Sequence, residues 1–201
     1  MRECLLCSKP LADMPSWKSL LSLEEIMKIC DTCSNQFEKA EIKEEGSVID
    51  HITSLYTYNE AMKEYLHQFK FLQDIALADV FKKDIRTVLK GYTNIVPIPM
   101  HPEKKMERTF AHVEELLKSA DIGYVDLLEK VNLDSMGTKT KKERLDMAPL
   151  FQLKPTIMIK PETYIIIDDI YTTGTTLRHA ATVLKEAGAT SVEAVTLIRA
   201  K

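Results

Sequence analysis

The sequence predicts an α/β protein: a doubly wound, mostly parallel sheet flanked by helices, with a small four-cysteine unit in front of it. Three observations carry this. From residue 51 onward, β-branched and aromatic runs alternate with segments of helical spacing, which implies a parallel sheet with helices on both faces. Ile165, Ile166 and Ile167 form an unbroken apolar run, as in a central strand buried on both faces. All four cysteines, Cys4, Cys7, Cys30 and Cys33, stand near the N-terminus as CLLC and CDTC, twenty-two residues apart.

The chain has 201 residues, 45% hydrophobic and 28% charged, enough for one core and a small appendage. No apolar run approaches the ~20 residues of a membrane helix. MRECLLCSKP lacks the apolar centre of a signal peptide, so a cytoplasmic protein is expected. The net charge of −3 carries no global nucleic-acid signature. Its distribution is uneven: residues 1 to 45 hold six Lys/Arg against nine Asp/Glu, whereas residues 46 to 201 balance at twenty-one each. The division expected is therefore a four-cysteine unit over 1–45 and a main domain over 46–201.

Two C-x2-C knuckles at this separation read as a Cys4 zinc site, because each offers two thiolates and two complete a tetrahedron. The competing readings are two disulfides, which fit a reducing cytosol poorly, or four unrelated thiols. Four thiolates would fill the shell, so the metal is structural rather than catalytic. Within this unit, Ser22 and Glu25 form a capping box for a short helix, and Trp17 packs its small core.

The remaining elements follow in order. Glu38 to Ser47 is polar and charged and reads as a helix end and linker. His51 to Tyr58 has strand composition. Asn59 caps a helix with Met62, Leu66 and Phe69 at helical spacing, and a second helix over about 75–89 stops at Gly91. Asn94 to Pro99 is a strand ended by proline. One helix is expected over 103–118, with Phe110, Val113, Leu116 and Leu117 on a single face. Gly123 to Leu128 is a short strand, 132–147 a long loop, and TYIIID a strand. A helix follows Gly174 with Leu177, Ala181, Leu184 and Ala187 inward, then a turn at Gly188 and a last strand.

The chemistry concentrates in YIIIDDIYTTGTTLRHA, Tyr164 to Ala180. Asp168 and Asp169 stand where the strand is expected to leave the sheet, and open α/β sheets bind ligands outside the carboxyl ends of their strands. Thr172, Thr173, Gly174, Thr175 and Thr176 make a tight turn into a helix, whose first amides and dipole favour an anion. Gly174 lets the backbone come close, and the threonines add hydroxyl donors. The turn thus suits a phosphate, and the neighbouring carboxylates suit hydroxyls or a divalent cation. Ribose 5-phosphate offers both groups on adjacent atoms. The plain alternative is an N-cap after a strand that happens to end in acids.

IIIDDIYTTGTT resembles the phosphoribosyl-pyrophosphate (PRPP) motif of type I phosphoribosyltransferases. The resemblance implies that Asp168 and Asp169 contact the ribose hydroxyls, that Thr172 to Thr176 cradle the 5-phosphate, and that magnesium accompanies PRPP. With a Cys4 unit in front, the chain resembles the ComF family of late competence proteins. YTYNEAMKEYLHQFKFLQD, VPIPMHP, KKER at 141 to 144 and the final TLIRA also fit that family. One departure stands out: where the family carries an Arg-Gly-Phe-Asn-Gln run, this chain has Arg108, Thr109, Phe110, Ala111 and His112.

Lys104, Lys105 and Arg108 follow the VPIPMHP strand end, and Lys139, Lys141, Lys142 and Arg144 lie in the long loop. They read either as solvated surface or as contacts for pyrophosphate or a nucleic-acid backbone. His101 and His112 are read as surface or core. The family resemblance implies a role in natural transformation, handling single-stranded DNA, with a helicase-like competence ATPase as partner. An active phosphoribosyltransferase of nucleotide salvage and a PRPP-sensing regulator are the alternatives. No aromatic or amide cluster for reading a base is evident.

Overall fold

The computed structural model describes residues 2–11, 28–44, 48–100, 102–131 and 150–200. The helix expected around Ser22 and Glu25, Trp17, His101 and the basic loop residues Lys139, Lys141, Lys142 and Arg144 lie outside them.

A five-stranded sheet organises the chain, in the order β1 (Lys39–Glu44), β2 (His51–Thr57), β7 (Ser191–Arg199), β6 (Thr163–Tyr171), β3 (Ile95–Pro97). β1 runs antiparallel to β2, and the other three pairings are parallel. β1 corrects the sequence reading, which took this segment for a linker. Lys39 to Glu44 alternates charged residues with Ala40 and Ile42, the pattern of a charged edge strand. The expected boundary after residue 45 therefore falls between two strands that pair with each other.

Alternation along β6 sorts the core into two layers. Ile165 and Ile167 face α2 (Glu60–Lys70), the 3-10 segment Ile75–Phe81, α3 (Lys82–Val88) and α5 (His112–Ser119). Tyr164 and Ile166 face α6 (Thr175–Glu186) on the other side. α2 starts as expected: Asn59 is its N-cap, and its side chain accepts from the Met62 amide at 3.0 Å.

Two further expectations are corrected. The helix expected over 103–118 is two helices, α4 (Pro102–Glu107) and α5, separated by a turn in which Thr109 has φ +55°. The strand expected over 123–128 is displaced. β4 (Leu128–Lys130) pairs antiparallel with β5 (Phe151–Leu153) in a separate ribbon, which buries Leu128 and Phe151 against the α6 layer. Valine and leucine content marked the segment apolar, but the burying surface is a helix layer rather than a sheet neighbour.

Candidate functional site

The four cysteines converge although the two knuckles are far apart in sequence. Cys4 and Cys7 sit in a tight turn, and Cys33 lies on the single-turn helix α1 (Asp31–Ser34), which follows Cys30. Their sulfur atoms all lie within 4.8 Å of one another, and Cys7 Sγ to Cys30 Sγ is 3.7 Å. A disulfide would require about 2.05 Å. A tetrahedron of thiolates at ~2.3 Å from one ion has edges of about 3.8 Å. The donor set therefore fits a metal of the zinc type, held by Cys4, Cys7, Cys30 and Cys33. Burial works against the Cys4 thiolate, yet N–H groups of Cys30, Leu6 and Cys7 outweigh it and pull its pKa down to about 6. Burial and the neighbouring sulfurs push Cys33 upward. Leu5, Leu6 and Phe37 pack against the main core, so the unit docks on the domain rather than hanging from it.

The second cluster lies at the carboxyl end of β6. The strand continues through both aspartates to Tyr171, with Asp168 opposite Thr196 and Ile170 opposite Ile198. The carboxylates thus sit inside the last residues of the strand, not beyond it, and strand geometry sends successive side chains to opposite faces. Asp168 Oδ1 accepts from the Asp169 amide at 2.8 Å. Burial, then the charge of Asp169, raises the pKa of Asp168 to about 7. Asp169 is ion-paired with Lys70, the last residue of α2, and the two side chains are only 13% and 14% exposed.

The threonine turn then leads into α6. Gly174 is its N-cap at φ +72° and offers no side-chain cap, and the Thr175 amide donates to Thr173 Oγ1 at 3.4 Å. A Cβ at Gly174 would come within 2.6 Å of the Tyr171 hydroxyl, so the position needs glycine twice over, for φ and for space. Thr172, Thr173 and Thr175 are exposed and Thr176 half-buried. The hydroxyls of Thr173 and Thr175 meet at 2.9 Å, and Arg178 Nη2 donates to the Thr173 carbonyl at 2.8 Å. A glycine-started helix N-terminus, adjacent hydroxyls and a nearby guanidinium together suit an anion.

Among the basic residues singled out in the sequence, Lys105 is exposed and pairs with Glu114 at 3.7 Å. Arg108 lies over the Phe71 ring, 5.2 Å from its centroid. Lys104 falls on α4. Two residues of this neighbourhood, Arg178 and Lys70, escaped the sequence reading, whereas His112, read as surface or core, lies in the core. Arg178 has helical spacing from Gly174 as its only signal. Lys70 stood inside the quoted HQFKF, but nothing local says that it meets Asp169. His112 is buried at 2% exposure between Phe69 and Phe110, ring centroids 5.3 and 5.2 Å away. Its Nε2 has no hydrogen-bond partner, and burial, then the Lys70 charge, lowers its pKa to about 4.

Known proteins bear on both clusters. Residues 108–201 match the phosphoribosyl transferase domain family, which takes in β6, the threonine turn and α6. The competence protein ComFC of Streptococcus pneumoniae (strain ATCC BAA-255 / R6) is 33% identical over 98% of this chain and 100% of its own length. The chain belongs to the ComFC family of competence proteins. ComFC of Bacillus subtilis (strain 168) is 32% identical over 98% of this chain and 94% of its own. Among solved structures, a Staphylococcus aureus hypoxanthine phosphoribosyltransferase covers 65% of this chain and 66% of its own, at 21% identity and a TM-score of 0.37. Among the described residues, no helix is long and apolar enough to cross a membrane.

Proposed function

We propose that this chain binds PRPP at the end of β6 and acts in natural transformation, in the uptake and handling of single-stranded DNA. The observation that carries the reading is the joining of a glycine-started, threonine-lined helix N-terminus to a largely buried acidic pair at one strand end. The cradle takes the 5-phosphate through Thr172, Thr173, Gly174, Thr175 and Thr176, and Asp168 and Asp169 take the ribose hydroxyls. Magnesium arrives with the diphosphate of PRPP. Family membership supports the competence role; single-stranded DNA and a helicase-like ATPase are the partners proposed from it, in the cytoplasm. Lys104, Lys105, Arg108, Lys141, Lys142 and Arg144 are proposed contacts for pyrophosphate or the DNA backbone.

Zinc is the proposed resident metal and has no place in the chemistry, since four cysteine ligands leave no open position. In the proposed division, 1–45 is the part that the metal holds and 46–201 the PRPP-binding part, with β1 shared into its sheet.

Calorimetry of PRPP with magnesium, paired with pyrophosphate release over a panel of bases, tests the reading. PRPP binding without release is the result expected of a competence protein that uses PRPP as a ligand. Release with one particular base would make the chain a transferase, and absence of PRPP binding would remove the pocket assignment.

A further inference from the structure

Lys70 is out of place for a lysine. Its side chain is 14% exposed and is ion-paired with a carboxylate that is 13% exposed. Burying such a pair costs desolvation that the attraction barely offsets, and an apolar pair would stabilise the fold as well or better. The lysine is thus better explained by something that binds there than by folding.

The direction from which it comes is informative. α6, which begins at the phosphate cradle, packs on the face of β6 that carries Tyr164 and Ile166. α2, which ends in Lys70, packs on the opposite face with Ile165 and Ile167. A ligand anchored at the start of α6 and lying across the two aspartates runs toward Lys70 with its far end.

The turn after Lys70 is braced. Gln73 and Thr109 hold φ +58° and +55°, a left-handed conformation that is strained for a non-glycine residue. The two strained residues hold each other: Thr109 Oγ1 donates to Gln73 Oε1 at 3.1 Å, and Gln73 Nε2 donates to the Glu107 carbonyl at 3.0 Å. This clasp ties the Lys70 turn to the segment carrying Arg108, whose guanidinium covers Phe71, the residue after Lys70. A cation at the end of α2 and one in the turn after α4 are thus brought close together.

Titratable groups from several elements stand around the ion pair. Asp168 and Asp169 come from β6, Tyr65 from α2 and His112 from α5, while Lys130, on β4, holds its ammonium over the Phe151 ring. His112 is neutral, and Asp168 keeps a proton over part of the range near pH 7.

We propose that Lys70 is the specificity-determining cation of the site: it reads the anionic group at the end of the ligand away from the threonine cradle, and so separates a 1-diphosphorylated ribose from ribose 5-phosphate. This rests on the PRPP reading above. On binding, the ammonium keeps Asp169 as one neighbour and gains a phosphate oxygen as another.

The test titrates the zinc-loaded full chain with PRPP and, separately, with ribose 5-phosphate at fixed magnesium. Lys70→Met should weaken PRPP about ten- to hundredfold, the loss of one charge-assisted contact, and ribose 5-phosphate by no more than about threefold. Lys70→Arg should restore most of the PRPP affinity. Gln73→Ala, which opens the clasp with Lys70 present, should fall between; it supplies the same comparison if Lys70→Met does not fold by its melting curve. Equal losses for both ligands, or none, overturn the inference while leaving PRPP binding intact. A wild-type chain that binds no PRPP overturns the proposed function, and this inference with it.

Discussion

The cysteine knuckles and the strand-end acidic pair solve the same problem, gathering charged or polarisable groups, by different means. At the knuckles, four thiols come from two short turns with little apolar burial around them: Cys4 is buried, but Cys7 is exposed. Backbone N–H groups favour the Cys4 thiolate, but holding several thiolates this close calls for an ion between them. At the pocket, two carboxylates are mounted on a central strand whose neighbours Ile165, Ile166 and Ile167 are all at or below 3% exposure. The sheet holds them whether or not a ligand is present. Order in the first region is bound to its ligand, and in the second it is prepaid by hydrophobic burial.

The largest effect should come from breaking the first region. Structural zinc in small modules contributes on the order of 10–16 kcal/mol of folding free energy. Cys30→Ser should drop zinc below about half an equivalent by elemental analysis and abolish hydrogen-exchange protection in the N-terminal segment. The sheet should keep its own melting transition, lowered by about 1–3 kcal/mol because Leu5 and Leu6 no longer cover it.

The pocket should respond in the opposite sense, losing ligand but not fold. Asp168→Asn with Asp169→Asn should weaken PRPP about a hundredfold by calorimetry. Asp168→Asn alone should also raise stability at pH 8. The raised pKa of Asp168 means that the native state binds its proton more tightly than the unfolded chain does. Stability from that proton is full below about pH 4 and is lost as pH rises toward 7. Removing the charge should therefore gain on the order of 1–3 kcal/mol at pH 8 and nothing at pH 4. Asp50 provides the contrast. The Ser191 hydroxyl, then Lys185, hold it down to about 2, so its contribution is present above pH 4 and is lost as pH falls toward 2.

Gly174→Ala should affect both fold and ligand, since φ +72° and the Tyr171 hydroxyl each oppose a Cβ. A loss of about 1–3 kcal/mol in denaturant unfolding is expected, along with weaker PRPP binding. An unchanged melting curve would mean that the cradle yields easily and is not preformed.

The smallest effect should be on nucleic acid. If Lys141 and Lys142 meet backbone phosphates of single-stranded DNA, replacing both by alanine should flatten the log–log salt dependence by about 1.4, at ~0.7 per contact. Lys105→Ala should change it less, because Lys105 is already paired with Glu114. Salt-independent binding would assign DNA handling to a partner protein.

Legibility followed the range of the interactions. The knuckles and the cradle are contiguous motifs whose chemistry lies in their spacing, and both were readable before any fold. Segments whose state depends on a distant neighbour were not. β1 has a linker's composition and becomes a strand only because β2 offers it an edge. The single helix expected over 103–118 breaks at Thr109, whose strained conformation is held by Gln73, 36 residues earlier. His112 looked like an incidental core histidine. Its burial is real, but its unpartnered Nε2 and its nearness to Lys70 and Asp169 come from packing between Phe69 and Phe110.

By itself the sequence determined the four thiol ligands, the acidic pair, the glycine-started helix and the parallel alternation, because residue types at short spacing dictate thiolate geometry, helix entry and strand burial. The tertiary structure decided that the two aspartates part to opposite faces of one strand and that Lys70 meets one of them. It also decided that Arg108 lies over Phe71, the residue after Lys70. Those facts depend on which helix packs on which face of the sheet, and that is settled by burial summed over the whole core rather than by any stretch of residues within it.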